Sequence, residues 1–381
     1  MNPLTPILRD RIKETGPLSF KDFMEMALYH PEHGYYSSGK AAIGRTGDFI
    51  TSVSVGRLFG RLLAHQFVEM WERLGRPAPF TIVEQGAHKG DFAADVLEFL
   101  REFFPDCFAA TDLCIVEPFA LRRTEQQMRL AGFGPEKVRW ASRLKDLEEF
   151  DGVHFSNELL DAFPVHRLHW TGEGWMERCV DFQEEGFVWQ DQPLTSDALR
   201  AQAERIPLPL PAGYETEVGP VAHEWLTLLS QKIRRGWVLI VDYGYPRAEY
   251  YRAERIAGTL TGYSHHQRVD DPLAAPGDID LTAHVDFTSL AETAEQHGLR
   301  VAGFTDQHHF IVGLSPLHFS DQSQLSAVQE RELREFKTLM HPNLMGASFK
   351  ALCLEKRGAG ENGAPLAGFH FCGNARAELF P

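Results

Sequence analysis

Cysteine is scarce in this chain of 381 residues, and the five present (Cys107, Cys114, Cys179, Cys353 and Cys372) are scattered and odd in number. No pair has CxxC spacing, so neither a zinc site nor a disulfide framework is suggested, and a reducing cytoplasm is the expected compartment. Positive charge is also short: 38 Lys and Arg against 53 Asp and Glu leave a net charge of −15. Grip on phosphate backbones comes from Lys and Arg, so no nucleic-acid partner is expected. The acidic balance suits a basic partner such as an arginine-bearing polypeptide, and it suits plain solubility equally well. No stretch reaches the roughly 18 uninterrupted apolar residues of a membrane span. The N-terminus has no basic patch followed by an apolar run, so neither a membrane nor a signal peptide is expected. Also missing are a Gly-x-Ser-x-Gly elbow, a P-loop lysine motif and an H-E-x-x-H helix. The 17 histidines, His265-His266 and His308-His309 among them, lack carboxylates at ligand spacing, so no metal is expected.

What is present is apolar mass enough for a large core, 43% hydrophobic residues, in a soluble globular pattern. Thr5-Pro6 reads as a helix start over the stripe Leu4, Ile7, Leu8 and Ile12. Ser19, with Asp22 three residues on, caps a second helix that stops near His30-Pro31. Residues 32–52 read as a long loop, and loops of that length tend to be functional. From Val55 to Leu74 the apolar residues keep a 3.6-residue period, which predicts one long helix. Strand and helix patterns then alternate: strands at Phe80–Glu84, Asp112–Glu117, Val138–Trp140, Val153–Ser156 and Trp237–Asp242, helices at Asp91–Phe103 and up to Ala131. Such alternation means βαβ units and a mainly parallel sheet covered by helices. Leu299–Phe304, Phe310–Leu314 and Phe349–Glu355 read as late strands around a helix at about 321–340.

Chemistry is expected where strands run into loops. Ile82-Val83-Glu84-Gln85-Gly86-Ala87-His88-Lys89-Gly90 is a strand entering a glycine turn before a helix, the way α/β folds receive nucleotide-like ligands. Its G-x-x-x-G spacing is not the dinucleotide fingerprint. Glu117 ends the next strand, where a carboxylate can accept both hydroxyl hydrogens of a ribose. Asn157, Glu158 and Asp161 follow the fourth strand, and Val241-Asp242-Tyr243-Gly244-Tyr245 ends the fifth. Glu158 and Asp161, three residues apart, would share one face of a helical turn. Each also has a plain reading as a solvated or capping residue.

Taken in order, these residues resemble the MidA family of protein arginine methyltransferases, a group related to mitochondrial complex I assembly factors. The motifs are His30-Pro31-x2-Gly34-Tyr35-Tyr36, Gly47-Asp48-Phe49-Ile50-Thr51-Ser52, Glu84-x-Gly86-x3-Gly90, Asn157-Glu158-x2-Asp161-Ala162-x-Pro164-Val165, Asp242-Tyr243-Gly244, Gly258-Thr259-Leu260-x2-Tyr263-x2-His266, Pro276-Gly277-x2-Asp280-x-Thr282-Ala283-His284-Val285-Asp286-Phe287 and Met345-Gly346-x2-Phe349-Lys350. They span about residues 15 to 357. The resemblance implies a Rossmann-like, seven-stranded class I methyltransferase sheet with an N-terminal helical extension and inserted segments. It further implies S-adenosyl-L-methionine as cofactor and a protein arginine as methyl acceptor. On it, residues 1–78 hold the N-terminal helices and a cofactor-covering loop, and 79–357 the methyltransferase domain with insertions at about 164–215 and 245–286. Residues 358–381 are linker and tail, matching nothing in the family. Glu84, Gly86, His88, Gly90, Glu117, Asp48 and Asn157 are the expected cofactor residues; Glu158, Asp161 and His284 are the expected catalytic ones. His88 stands where the family's E-x-G-x-G-x-G has its middle glycine. Two other readings stay open here: a degenerate methyltransferase fold serving as a binding or assembly factor, and a nicotinamide-dependent oxidoreductase. A homodimer is also left open.

Overall fold

A computed structural model describes residues 2–39, 51–184, 186–264, 267–319, 327–341, 346–356 and 364–380. The chain forms two compact units, each built from separated segments. The first is Met1–Phe49, Leu160–His223 and Tyr245–Asp286; the second is Ile50–Leu159, Glu224–Gly244 and Phe287–Pro381. The segment 1–78 therefore divides at Phe49/Ile50, because the helix Leu58–Arg73 packs its apolar stripe into the core of the second unit.

Seven strands of the second unit's sheet are β1 (Phe80–Gln85), β2 (Thr111–Val116), β3 (Val138–Ala141), β4 (Phe150–Asn157), β5 (Ile233–Tyr245), β6 (Leu299–Asp306) and β7 (Phe349–Lys356). Their order is β6-β7-β5-β4-β1-β2-β3. β1 pairs in parallel with β2 and β4, as do β2 with β3 and β4 with β5, whereas β7 runs antiparallel to both β5 and β6. This is the seven-stranded methyltransferase sheet expected above. The chain leaves β1 toward β2 on one side, while β4 lies on the other, so a topological switch point falls between β1 and β4. In open α/β sheets ligands bind at that point, beyond the carboxyl ends of the strands. Helices Leu58–Arg73 and Asp91–Phe103 cover one face, with Phe92 stacked on Phe155 of β4 at 4.3 Å between ring centroids.

Three expectations need correction in this unit. The predicted helix over Val55–Leu74 breaks at Gly56-Arg57 into the turn Ser52–Val55 and the helix Leu58–Arg73. Phe310–Leu314 is not a strand but part of the helix Gln307–His318, which Asp306 caps by accepting the His309 N–H at 2.9 Å. A five-residue apolar run fits either structure, and the cap decides it. The described part of the tail, 364–380, is no free linker. Leu366, Phe369 and Leu379 are fully or almost fully buried, and Phe369 meets Phe310 at 5.2 Å. A Cβ on Gly303 would come within 2.4 Å of the Phe369 ring, so the glycine in β6 makes room for it.

In the first unit, strands Leu18–Ser19, Trp175–Gln183, His166–Trp170 and Tyr214–Val218 pair antiparallel in that order, and Gly186–Gln192 pairs with Trp175–Gln183. A smaller antiparallel sheet holds Gln267–Val269, Thr261–Ser264 and Asp280–Thr282. The N-terminal helix spans Leu4–Thr15, with the Leu4 N–H donating to Asn2 Oδ1, so Thr5-Pro6 lies inside its first turn. Ser19 caps the helix Phe20–Tyr29 by accepting the Asp22 N–H at 3.1 Å, as expected. Leu8, Phe20, Phe23, Val180 and Leu281 belong to this unit's core.

Candidate active site

Beyond β1 the backbone turns through left-handed conformations: Gly86 at φ +83°, His88 at +45° and Gly90 at +83°. A Cβ on Gly86 would meet Leu159 at 3.5 Å, an ordinary contact, so the turn geometry rather than crowding asks for glycine. His88 adopts the same region without being a glycine, which is unusual for a residue with a Cβ. At the strand's end Glu84 is buried, and its Oε2 has no hydrogen-bond partner. Burial, helped by Asp91, pushes this carboxyl up to about 8, so it holds its proton at neutral pH.

Beyond β2, Glu117 is buried as well but supplied with donors. Its Oε1 accepts the Phe119 N–H and its Oε2 accepts Gln126 Nε2, both at 2.9 Å. Burial raises its pKa, and those two bonds pull against the rise. Gln126 Nε2 also donates to the His88 carbonyl at 2.9 Å, and its Oε1 accepts Trp140 Nε1 at 3.0 Å. Gln126 thus joins the turns after β1 and β2, and the sequence reading missed it. The available signal was its place on the inward face of the helix Ala120–Leu130, together with Arg122 and Leu130.

Beyond β4, Asn157 Nδ2 donates to Glu158 Oε1 at 2.8 Å, while Asn157 Oδ1 is buried without a partner. Glu158 sits at φ +52°, and its N–H donates to the Val241 carbonyl of β5 at 3.0 Å. The Leu159 N–H donates to Asp242 Oδ2 at 3.1 Å, and the Tyr243 N–H to Asp242 Oδ1 at 2.8 Å. Asp242, fully buried, therefore fixes the backbone that follows β4. These contacts correct one expectation: no helical turn spans Glu158 to Asp161. The left-handed backbone at Glu158 interrupts it.

Glu84, Gly86, His88, Gly90, Glu117, Asn157 and Glu158 all belong to the second unit, and their loops sit at the carboxyl ends of adjacent strands β2, β1 and β4. Asp161 and His284 belong to the first unit. Asp161 is buried, and its carbonyl accepts the Ala283 N–H at 2.8 Å. The His284 N–H donates to Thr259 Oγ1 at 3.0 Å. Burial, then the nearby Arg255 charge, lowers the His284 imidazole to about 4, which makes it a weak proton acceptor. Asp48 lies outside the described residues. Among the described residues no group of His, Cys, Asp and Glu is arranged to hold a metal, and no helix is long and apolar enough to cross a membrane.

A parallel sheet with a glycine turn, a carboxylate at the end of the neighbouring strand and a switch point between them has close parallels among known proteins. The family model of S-adenosyl-L-methionine-dependent methyltransferases matches residues 62–305. The chain belongs to that family. Its cofactor is accordingly S-adenosyl-L-methionine. The methyltransferase is 30% identical to protein arginine methyltransferase NDUFAF7, mitochondrial, of Homo sapiens, with 93% of this chain and 84% of the relative covered. Its identity to the Drosophila melanogaster homolog is also 30%, over 91% and 83% of the two chains. Among solved structures, a superfamily member from Burkholderia thailandensis with S-adenosyl-homocysteine bound superposes with a TM-score of 0.85 at 29% identity, covering 96% of this chain and 94% of that one. The cytoplasmic compartment expected from cysteine usage is overturned: these curated relatives are mitochondrial proteins, and scattered thiols do not distinguish one reducing compartment from another.

Proposed function

We propose that this methyltransferase modifies an arginine side chain of a protein, with its cofactor at the β1–β4 switch point and Glu158 as the acid that engages the guanidinium. The carrying observation is Glu158 itself. A carboxylate stands at the carboxyl end of β4, next to the glycine turn, with its backbone in a sparsely populated conformation and one oxygen fixed by Asn157. Strain of this kind, roughly 1–3 kcal/mol, persists where the surroundings over-determine it and clusters at functional sites. The naming of the relatives as protein arginine methyltransferases supports the same acceptor.

The residues present fit the cofactor. Gly86 and Gly90 give the left-handed turn that frees the backbone beyond β1. Glu117 is held by two N–H donors in an orientation that leaves each oxygen a further lone pair for a ribose hydroxyl. Glu84 Oε2 and Asn157 Oδ1, buried acceptors without partners, suit the polar hydrogens of the amino-acid part. When bound, S-adenosyl-L-methionine supplies an electrophilic methyl sulfonium. Glu158 then does what a guanidinium requires. The group is charged at all physiological pH, and a carboxylate on its fork draws the positive charge to the bonded nitrogens and orients the remaining one. Positioning that nitrogen in line with the methyl carbon favours the transfer, and the proton it sheds on taking the methyl passes to the Glu158 carboxylate.

The test is Glu158→Gln in the full-length protein, with tritiated methyl groups followed into arginine after acid hydrolysis of a soluble protein mixture. The variant should keep wild-type S-adenosyl-homocysteine affinity by calorimetry and lose label transfer by about 100-fold, the scale of one positioned catalytic group. Transfer within a few-fold of wild type would remove Glu158 from the reaction.

A further inference from the structure

Within the second unit, the helix Ala120–Leu130 reaches the turns that follow both β1 and β2 through one fully buried residue, Gln126. A Cβ on Gly90 would meet Gln126 Cγ at 3.5 Å, so this side chain lies against the glycine turn. Its Nε2 donates to the His88 carbonyl and to Glu117 Oε2, each at 2.9 Å, and its Oε1 accepts Trp140 Nε1 at 3.0 Å. An indole N–H only donates, so the amide oxygen faces Trp140 on β3 and the amide NH2 faces the two acceptors. A flipped amide would set its oxygen against two acceptors and its NH2 against a donor. Three residues earlier, Arg123 Nη2 donates to the Glu117 carbonyl and to Ser142 Oγ, both at 2.9 Å. The same helix thus holds the Glu117 backbone through one residue and its carboxylate through another.

Resting on the reading above in which Glu117 takes the ribose hydroxyls, we propose that Gln126 is a positioning residue for the cofactor. It aims the Glu117 carboxylate and sets its distance from the glycine turn, with Trp140 as the lock on its amide. Glu117 Oε1 is held by the Phe119 N–H alone. A carboxylate with one donor on one oxygen can still swing about that bond, and a second donor on the other oxygen stops the swing. Two hydroxyls of one ribose need both oxygens presented together, so the aim of the group bears directly on affinity. Burial raises the Glu117 carboxyl, and the Phe119 N–H, then Gln126, then the charges of Arg122 and Arg123 oppose that rise. Gln126 therefore also helps keep the negative charge that a hydroxyl bonds. Because the same NH2 group holds the His88 carbonyl, the turn after β1 and the acid after β2 keep a fixed spacing.

Full-length protein is titrated by calorimetry with S-adenosyl-homocysteine and with its analogue lacking both ribose hydroxyls. Wild type should bind the first about tenfold tighter or more, through Glu117. Gln126→Leu should weaken S-adenosyl-homocysteine about tenfold and the analogue no more than about threefold, since Arg123 still holds the Glu117 backbone. Gln126→Glu, nearly isosteric, can keep the Trp140 bond but turns an acceptor toward Glu117, so it should cost at least as much. Trp140→Phe loses only the lock; it should weaken S-adenosyl-homocysteine roughly two- to threefold and add nothing in the Gln126→Leu background. The role is overturned if folded Gln126→Leu binds S-adenosyl-homocysteine within about twofold of wild type. It is overturned equally if both compounds weaken by one factor, the mark of a residue that serves only the fold. Should Gln126→Leu not fold, Trp140→Phe decides: a loss confined to S-adenosyl-homocysteine supports the role, and no loss, or an equal loss for both, removes it. Wild type that binds the two compounds equally removes the ribose reading of Glu117, and the positioning role with it.

Discussion

Glu177 in the first unit and Glu84 in the second are both buried glutamates on β-strands, and their surroundings treat them in opposite ways. Around Glu177, His166 Nδ1 lies 2.6 Å from one oxygen and Thr195 Oγ1 donates to the other at 2.8 Å. Burial would raise its pKa, but His166 and Thr195 outweigh burial and hold it below the ordinary value. Around Glu84 no donor reaches Oε2, and burial wins, to about 8. A fold can supply donors to a buried acid wherever strands from one sheet face each other, as the pairing of His166–Trp170 with Trp175–Gln183 does. Where it withholds them, at the carboxyl end of β1, the acid is a poor contributor to stability and keeps capacity for something that arrives later. The difference separates an acid that its own unit supplies with donors from one whose Oε2 is left without any.

The sharpest way to break that contrast is the pH dependence of stability. An unfolded glutamate loses its proton above about 4.5, whereas folded Glu84 keeps its proton until about 8, so between those values the unfolded state binds fewer protons. Stability contributed by this group is therefore fully present below about 4.5 and falls as pH rises toward 8, at up to about 1.4 kcal/mol per pH unit. Melting temperature should decline from pH 5 to 8, and Glu84→Gln should flatten that decline and gain most at the alkaline end. Glu177, with its lowered pKa, has the reverse sign: its contribution is present above the ordinary carboxylate value and lost as pH falls. Thermal melts of Glu84→Gln that parallel wild type across this range would show Glu84 to be as well supplied with donors as Glu177.

Glu117 lies between the two, buried and raised yet bonded by Phe119 and Gln126. If its remaining lone pairs serve a ribose, Glu117→Ala should weaken S-adenosyl-homocysteine by tenfold or more, about 1.4 kcal/mol upward, because charge-assisted bonds contribute roughly 1.5–3 kcal/mol each. Calorimetry showing less than a twofold change in a stable variant would class Glu117 with Glu177, as an acid that serves the fold.

The same contrast explains what could be read from sequence. Residues of the second unit's site hang directly on strand ends, so strand period and the next few residues locate Glu84, Gly86, Glu117 and Glu158 at once. Both units are assembled from three separated segments, but in the first Asp280 is bonded by a tyrosine 244 residues away, Tyr36. No local pattern carries that pairing. Gln126 escaped for a related reason: its partners sit on two other loops and a third strand. The supposed helical turn at Glu158–Asp161 failed because spacing says nothing of a left-handed residue between strand and turn. The buried tail residues Leu366, Phe369 and Leu379 were legible only as apolar letters in a glycine-rich stretch, and the room that Gly303 leaves for the Phe369 ring lies some 66 residues away in sequence, on β6.

The smallest effect concerns His88, a residue with a Cβ in the left-handed region. At φ +45° an L-residue with a Cβ costs roughly 1–2 kcal/mol, and glycine at that position avoids the clash while giving back some unfolded-state entropy. Its carbonyl already accepts from Gln126 Nε2, a bond that survives any change of side chain. His88→Gly should therefore stabilise the protein by about 1 kcal/mol or less, a rise of roughly 2–4 °C at most in melting temperature for a unit of this size. Affinity for S-adenosyl-homocysteine should hold or improve, because the imidazole leaves the turn without disturbing its path. A folded His88→Gly variant that binds several-fold more weakly would mean the ring itself touches the cofactor. The left-handed histidine would then be a strained functional residue of this turn.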